Sequence, residues 1–409
     1  MNKLIHKGGI ALSAMAIAAS VPATVSLPAS AAPVRSAGAS AAALTNTPAA
    51  QLYAALDALL REHADLTATV VQTAITAGPS SASTKAALGA LDQNTQALGG
   101  AIGSYYGAAA KASFLKLWRA HIGFFVDYTL GVAGHDQMKI AAAQKELNGY
   151  ISQFSAFVHG ATNLPTSAVA ADLRGHVSTL EAAINAIVSK SPRAGTLIDM
   201  AAMHMDGTAQ VLAEGIASVK HVSGSVTGAG ASLRAALTGL LVQHVADTGF
   251  VVQTAVANHG SLTAPEVKGA IAALSANTNA LGGAIGHYYG TAAEAAFLKT
   301  WRAHIGFFVN YTLGVATHDN AKVAMAQQDL NGYISSFSAF LSGATKLPRA
   351  AVAADLKGHV TTLEAAINAI VSASPDAAQK LLMAEGHMAG TGAVLAQGIA
   401  SSEPSKVTS

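Results

Sequence analysis

The sequence predicts an all-α protein, two tandem antiparallel helical bundles of about six helices each, built from helical hairpins. Three observations carry this. Ala-rich segments of about 20 to 28 residues, nearly free of proline, follow one another along the chain. Gly and Pro punctuate them at matching places: Gly78-Pro79, Gly134, Pro165 and Pro192, then Gly260, Pro348 and Pro375. Finally, the stretch from Ala97 to Asp136 returns from Ala280 to Asp319, an offset of 183 residues that holds to the C-terminal helix.

Taken in order, residues 1–31 read as a signal peptide: basic Lys3 and Lys7, an apolar run, then Ala29-Ser30-Ala31. A disordered leader is expected over 32–48. The first bundle follows over 49–217, with helices near 49–77, 83–110, 111–133, 136–161, 166–189 and 192–217. A Gly/Ser linker spans 218–230, the second copy of the bundle 231–401, and a polar tail 402–409. Asp136, Ser191 and Asp319 stand where N-caps belong, and Pro192 and Pro375 fit a first helical position. Gly99, Gly100, Gly103 and Gly107 inside one helical run imply close backbone contact between helices.

Charge and composition narrow the function. The chain has 24 basic and 22 acidic residues, and Lys3 and Lys7 leave with the signal, so the mature chain is balanced. Nothing in it attracts a polyanion: no nucleic-acid partner is expected, and no membrane after signal cleavage. Secretion or residence in the cell envelope is expected. The low charged fraction, 11%, points to self-association or a cell-envelope partner. The absence of cysteine removes thiolate chemistry and disulfides.

Histidine is the ionisable type that stands out. Three helices of the first half carry a basic-x-His core, at Arg61-Glu62-His63, Arg119-Ala120-His121 and Arg174-Gly175-His176. Their intervals of 58 and 55 residues are each one helical hairpin. If alternate helices converge, His63, His121 and His176 point inward together, and His204, flanked by Met203 and Met205, offers a fourth ligand. The repeat gives His244, His304, His359 and His387. Three imidazoles suit a first-row transition metal, and copper, zinc and iron are the candidates. Two other readings stand beside it: haem binding, and a structural or protein-interaction module whose histidines only hydrogen-bond across the core.

Further pocket candidates are Glu62, Asn94, Arg119 and Tyr128, with Asn277, Arg302 and Tyr311 in the second half. Tyr128 lies seven residues beyond His121 and shares its helix face. Arg119 can pair with a carboxylate, a haem propionate or a neighbouring helix. The carboxylates weigh against a duplicated acid–base site, because Glu62, Asp92, Asp127 and Asp206 become Gln243, Ser275, Asn310 and Ala389.

The R-A-H string that runs on to Tyr128, the L-D-x-N of the preceding helix and the second basic-x-His resemble a family. It comprises uncharacterised exported helical domains of Gram-positive bacteria, sometimes fused to a copper-amine-oxidase N-terminal-like module. The resemblance covers Leu60 to His204 and again Leu241 to His387. It implies export and a helical bundle, and marks Glu62, His63, Asn94, Arg119, His121, Tyr128 and His176 as shared residues. The fused module is absent here, so its copper label does not transfer, and Gln243 departs from the pattern.

Overall fold

The computed structural model describes residues 37–408. The expected signal peptide, 1–31, lies outside them. The described residues form only helices: α1 (Ala37–Leu44), α2 (Pro48–Ala77), α3 (Ala82–Ala133), α4 (Gln137–Thr162), α5 (Thr166–Val188) and α6 (Ala194–Lys220), then α7 (Ala229–Ala257), α8 (Pro265–Tyr289), α9 (Thr291–Ala316), α10 (Asn320–Thr345), α11 (Arg349–Val371) and α12 (Ala377–Ser402), with a 3-10 turn at Pro404–Lys406. The all-α reading holds, and so do two repeated bundles.

Local chemistry explains most boundaries. The Asp136 carboxylate accepts from the backbone N–H groups of Met138 and Lys139, and Asp319 accepts from Lys322, so both act as N-caps. Ser191 does not cap α6. Its hydroxyl accepts from the Arg193 N–H in a turn, and the helix begins at Ala194, which leaves Pro192 ahead of it. The helices expected at 83–110 and 111–133 are the two arms of α3, which bends at Gly107. The same bend separates α8 from α9 at Gly290, and both glycines hold a φ of 83° that residues with a Cβ rarely adopt.

Both ends of the chain depart from expectation. Part of the leader assigned to 32–48 is helical: α1 sets Ala41 in a small core with Leu233, Leu237, Ala396, Ile399 and Ala400 of the second half. The Arg234 guanidinium fixes the turn after it by donating to the Thr45 carbonyl at 3.1 Å. An Ala- and Ser-rich segment needs only a close-fitting groove to become ordered, and the second half provides one. Val407, in the expected polar tail, is buried in that same core.

The halves dock through α2 and α7, which pack against each other, while α6 reaches α8 and α12 reaches α3. A helix surrounded on every side must be buried all round. Accordingly α2 buries Asp57, Arg61, Glu62 and Asp65 along with its apolar residues. By length and apolarity α7 could cross a membrane, but 83% of its most apolar window is buried inside the protein, which makes it a core helix of the fold.

Candidate metal centre

Three helices of each half bring three histidines to one point. α2, the second arm of α3, and α5 present His63, His121 and His176; α7, α9 and α11 present His244, His304 and His359. Within each triad one ring nitrogen per residue lies within 4.8 Å of the others. Ring centroids stand 5.2, 5.8 and 6.2 Å apart in the first triad and 5.4, 5.9 and 6.1 Å in the second. All six are buried, none above 3% exposure.

Aromatic rings wall the triads. Tyr150 of α4 stacks on His121 at 4.7 Å, and Tyr333 of α10 stacks on His304 at the same distance. Trp118 lies 4.6 Å from His121 and 4.9 Å from His63, and Trp301 repeats this at 4.5 and 4.8 Å. No carboxylate belongs to either triad. Burial, reinforced by the neighbouring imidazoles, holds His63 and His121 well below the ordinary histidine range. Burial likewise lowers His176 to about 4 and His244 to about 3. His304 and His359 fall for the same reason. The rings are therefore neutral near pH 7, with lone pairs available.

Those lone pairs have few protein partners. The Nε2 atoms of His63 and His121 lie 3.2 Å apart, one donating to the other. Among the described residues, neither ring nitrogen of His176, His244 or His359 has a partner, nor does Nε2 of His304. A buried polar atom left unpaired costs about 1–3 kcal/mol. Two imidazole ligands of one ion stand about 3.3–3.6 Å apart, given metal–nitrogen distances of about 2.0–2.1 Å. The His63–His121 pair, at 3.2 Å, falls just short of that separation, and the other nitrogens reach it by moving on the order of 1 Å.

His204 and His387 do not join the triads. The Nε2 of His204 bonds the Asp172 carbonyl at 3.0 Å and that of His387 bonds the Asp355 carbonyl at 3.0 Å. Each ring lies over Gly175 or Gly358, where a Cβ would come within 2.5 Å of it. Of the flanking methionines, Met203 is exposed and Met205 is buried in the core that includes Trp118.

The other pocket candidates scatter. Arg119 is paired with Asp92 at 2.7 Å on the surface, and Arg302 donates to Asn279 at 2.8 Å, also exposed. The Tyr128 hydroxyl faces Asn185, and that of Tyr311 faces Asn368. Asn94 donates to the Leu59 carbonyl and to Glu62, and Asn277 to the Leu240 carbonyl. These asparagines tie helices together. Glu62, beside His63 in sequence, is pushed up to about 7 by burial, against the bond from Asn94.

Acidic groups collect where the halves meet. The Gln243 amide donates to Asp65, Asp199 and Asp247 at 3.3, 3.2 and 2.9 Å. Burial and then the Asp199 charge push Asp65 up to about 8, and Asp247 rises for the same reasons. Glu385 is fully buried with both oxygens unpartnered. Arg61 pairs with Asp206 and with Asp57. The differences between halves at Glu62/Gln243 and Asp206/Ala389 therefore fall in or beside this interface. Set against family models, curated proteins and solved structures, the chain matches none.

Proposed function

We propose that this chain is an exported transition-metal-binding protein that holds one monovalent copper ion in each histidine triad. The observation that carries the reading is the set of buried, neutral imidazoles with unpaired nitrogens gathered at one point in each half. A metal ion accepting their lone pairs would relieve that cost.

Charge favours the monovalent ion. Three neutral ligands in an aromatic box leave the whole charge of the ion uncompensated, and the desolvation penalty grows with the square of charge, roughly fourfold from one charge to two. Copper(I) is content with three imidazoles; zinc and iron would seek an anion or an open position for water. A porphyrin fits poorly, because Trp118, Tyr150 and Phe125 occupy the space around His121 within 6.0 Å. The basic, apolar and small-residue order of the N-terminus supports export, as does the likeness to exported helical domains.

The alternative, a scaffold module without ligand, draws on the His63–His121 contact, which accounts for two of the six rings. Anaerobic titration of the mature chain with copper(I) separates the two. Two equivalents bound, with zinc(II) a weak competitor, is the expected result. Less than about a tenth of an equivalent of copper, zinc or iron, with no thermal shift on adding any of them, overturns the metal reading.

A further inference from the structure

The triads differ in how they meet solvent. A cleft of about 390 Å³ opens between α7, the start of α8 and α9, and His244 is part of its lining. Its walls are mostly apolar, with Val252, Leu274 and Phe308 among them. At the rim stand Val256 and His259, both exposed. These two residues also line a wider cleft of about 520 Å³ between the halves. The two clefts therefore share Val256 and His259 at their rims, and His244 stands in the lining of the smaller one.

The matching place in the first half is nearly closed. There the space is about 50 Å³, it is lined by Leu88 and Pro79, and His63 is not part of its lining. Two sequence differences account for this. The α7–α8 connection has seven residues, 258–264, where the α2–α3 connection has four, 78–81, and the longer loop brings in His259. In addition, α8 starts hard against α6: a Cβ on Gly269 would overlap the Pro192 carbonyl oxygen, and one on Gly195 would press on Ala273. At the equivalent contact, between α3 of the first half and α12 of the second, alanines stand instead, Ala86 and Ala378. Leu88 is half-buried as part of the plug, whereas its counterpart Ile271 is turned to solvent.

We propose that the second triad is the exchanging site: metal passes between solvent and His244 through this cleft, with His259 as the first ligand at its rim, while the first triad holds its ion behind a sealed wall. The proposal rests on the metal-binding reading above. The passage involves no redox step. His259 offers one imidazole at the rim, the Thr248 and Thr312 hydroxyls line the passage, and His244 opens the three-nitrogen floor about 20 Å further along α7.

The test uses the full mature chain loaded anaerobically with two equivalents of copper(I), then mixed with an excess of a colorimetric copper(I) chelator. Two phases of equal amplitude are expected, their rates at least tenfold apart. His304→Gln should remove the fast phase and His121→Gln the slow one. His259→Gly, at an exposed position with a φ of 55° that glycine adopts freely, should slow the fast phase at least fivefold and leave the two-equivalent stoichiometry intact. Thr312→Phe, which fills the cleft, should do the same. Equal release rates from both triads overturn the proposal, as does a fast phase within twofold of wild type in His259→Gly. Failure to load any copper overturns the metal reading itself, which is a different outcome.

Discussion

The two halves repeat one another closely, yet His244 stands in the lining of a cleft of about 390 Å³ where the matching space in the first half is about 50 Å³ and does not reach His63. Nearly all the ligand-bearing and wall-forming residues match: His63 with His244, Trp118 with Trp301, Tyr150 with Tyr333, Phe125 with Phe308. What differs lies one shell away, in a loop of seven residues against four and in whether glycine or alanine stands where helices of opposite halves touch. Duplicated sites can thus diverge in access while their chemistry is kept.

The largest effect should come from emptying one triad at a time. The double variant His121→Gln/His176→Gln should bind one equivalent of copper, and so should His304→Gln/His359→Gln. At a free copper level of 1,000 times Kd, each occupied site stabilises the fold by about 4 kcal/mol, so calorimetry on loaded samples should show one such increment lost. Two retained equivalents in either variant would break the assignment of one ion per triad.

Next in size is the packing contrast. Phe125 is 2% exposed and sits edge-on to both His121 and His176, so Phe125→Ala should cost about 3–5 kcal/mol. Phe308 already has the cleft on one side and loses fewer atomic contacts. Phe308→Ala should cost about 1 kcal/mol less, read from urea unfolding midpoints. Equal costs would mean that the cleft closes in solution.

Smaller still is the helix contact that holds α8 against α6. Gly269→Ala should destabilise by about 1–3 kcal/mol through overpacking on the Pro192 carbonyl. Ala86→Gly at the matching site should cost only about 1 kcal/mol of helix propensity. A Gly269→Ala variant as stable as wild type would remove the contact as the reason for the cleft.

The smallest effect concerns pH. The triad histidines are lowered in the fold, so their share of stability is complete above about 6.5 and is lost as pH falls toward 4 and 3, the native values of His176 and His244. The interface carboxyls are raised, so theirs is complete below about 4 and is lost as pH climbs through the native value of about 8 at Asp65. Above pH 6.5 only the carboxyls change, and the metal-free protein should weaken between pH 6.5 and 9. Asp247→Asn should shrink that loss, measured as urea midpoints at the two pH values; an unchanged loss would show that the interface acids do not control it.

The sequence made the bundles legible because Gly107 and Gly290, the caps Asp136 and Asp319 and the long Ala-rich runs act locally. The triads were legible through hairpin spacing, since helices two apart in an antiparallel bundle return to the same side. His204 misled because its partner is a backbone carbonyl, Asp172, reached over Gly175, and no residue type announces that. Tyr150 and Tyr333 went unmarked for want of spacing to their histidines. The docking of α2 on α7 and the burial of Glu385, Asp65 and Asp247 are products of one half meeting the other, which neither half's pattern contains. His259 has no partner in the repeat, and its place became visible only with the cleft.

The seat of α1 bears on how the protein is finished. Its groove is formed by α7 and α12, so the earliest described helix has nowhere to rest until the end of the chain is in place. Joining segments so distant is entropically late, and the closing clasp should be the final event of assembly and the first to open. A protease that trims the residues around Val407 would therefore loosen the opposite terminus as well.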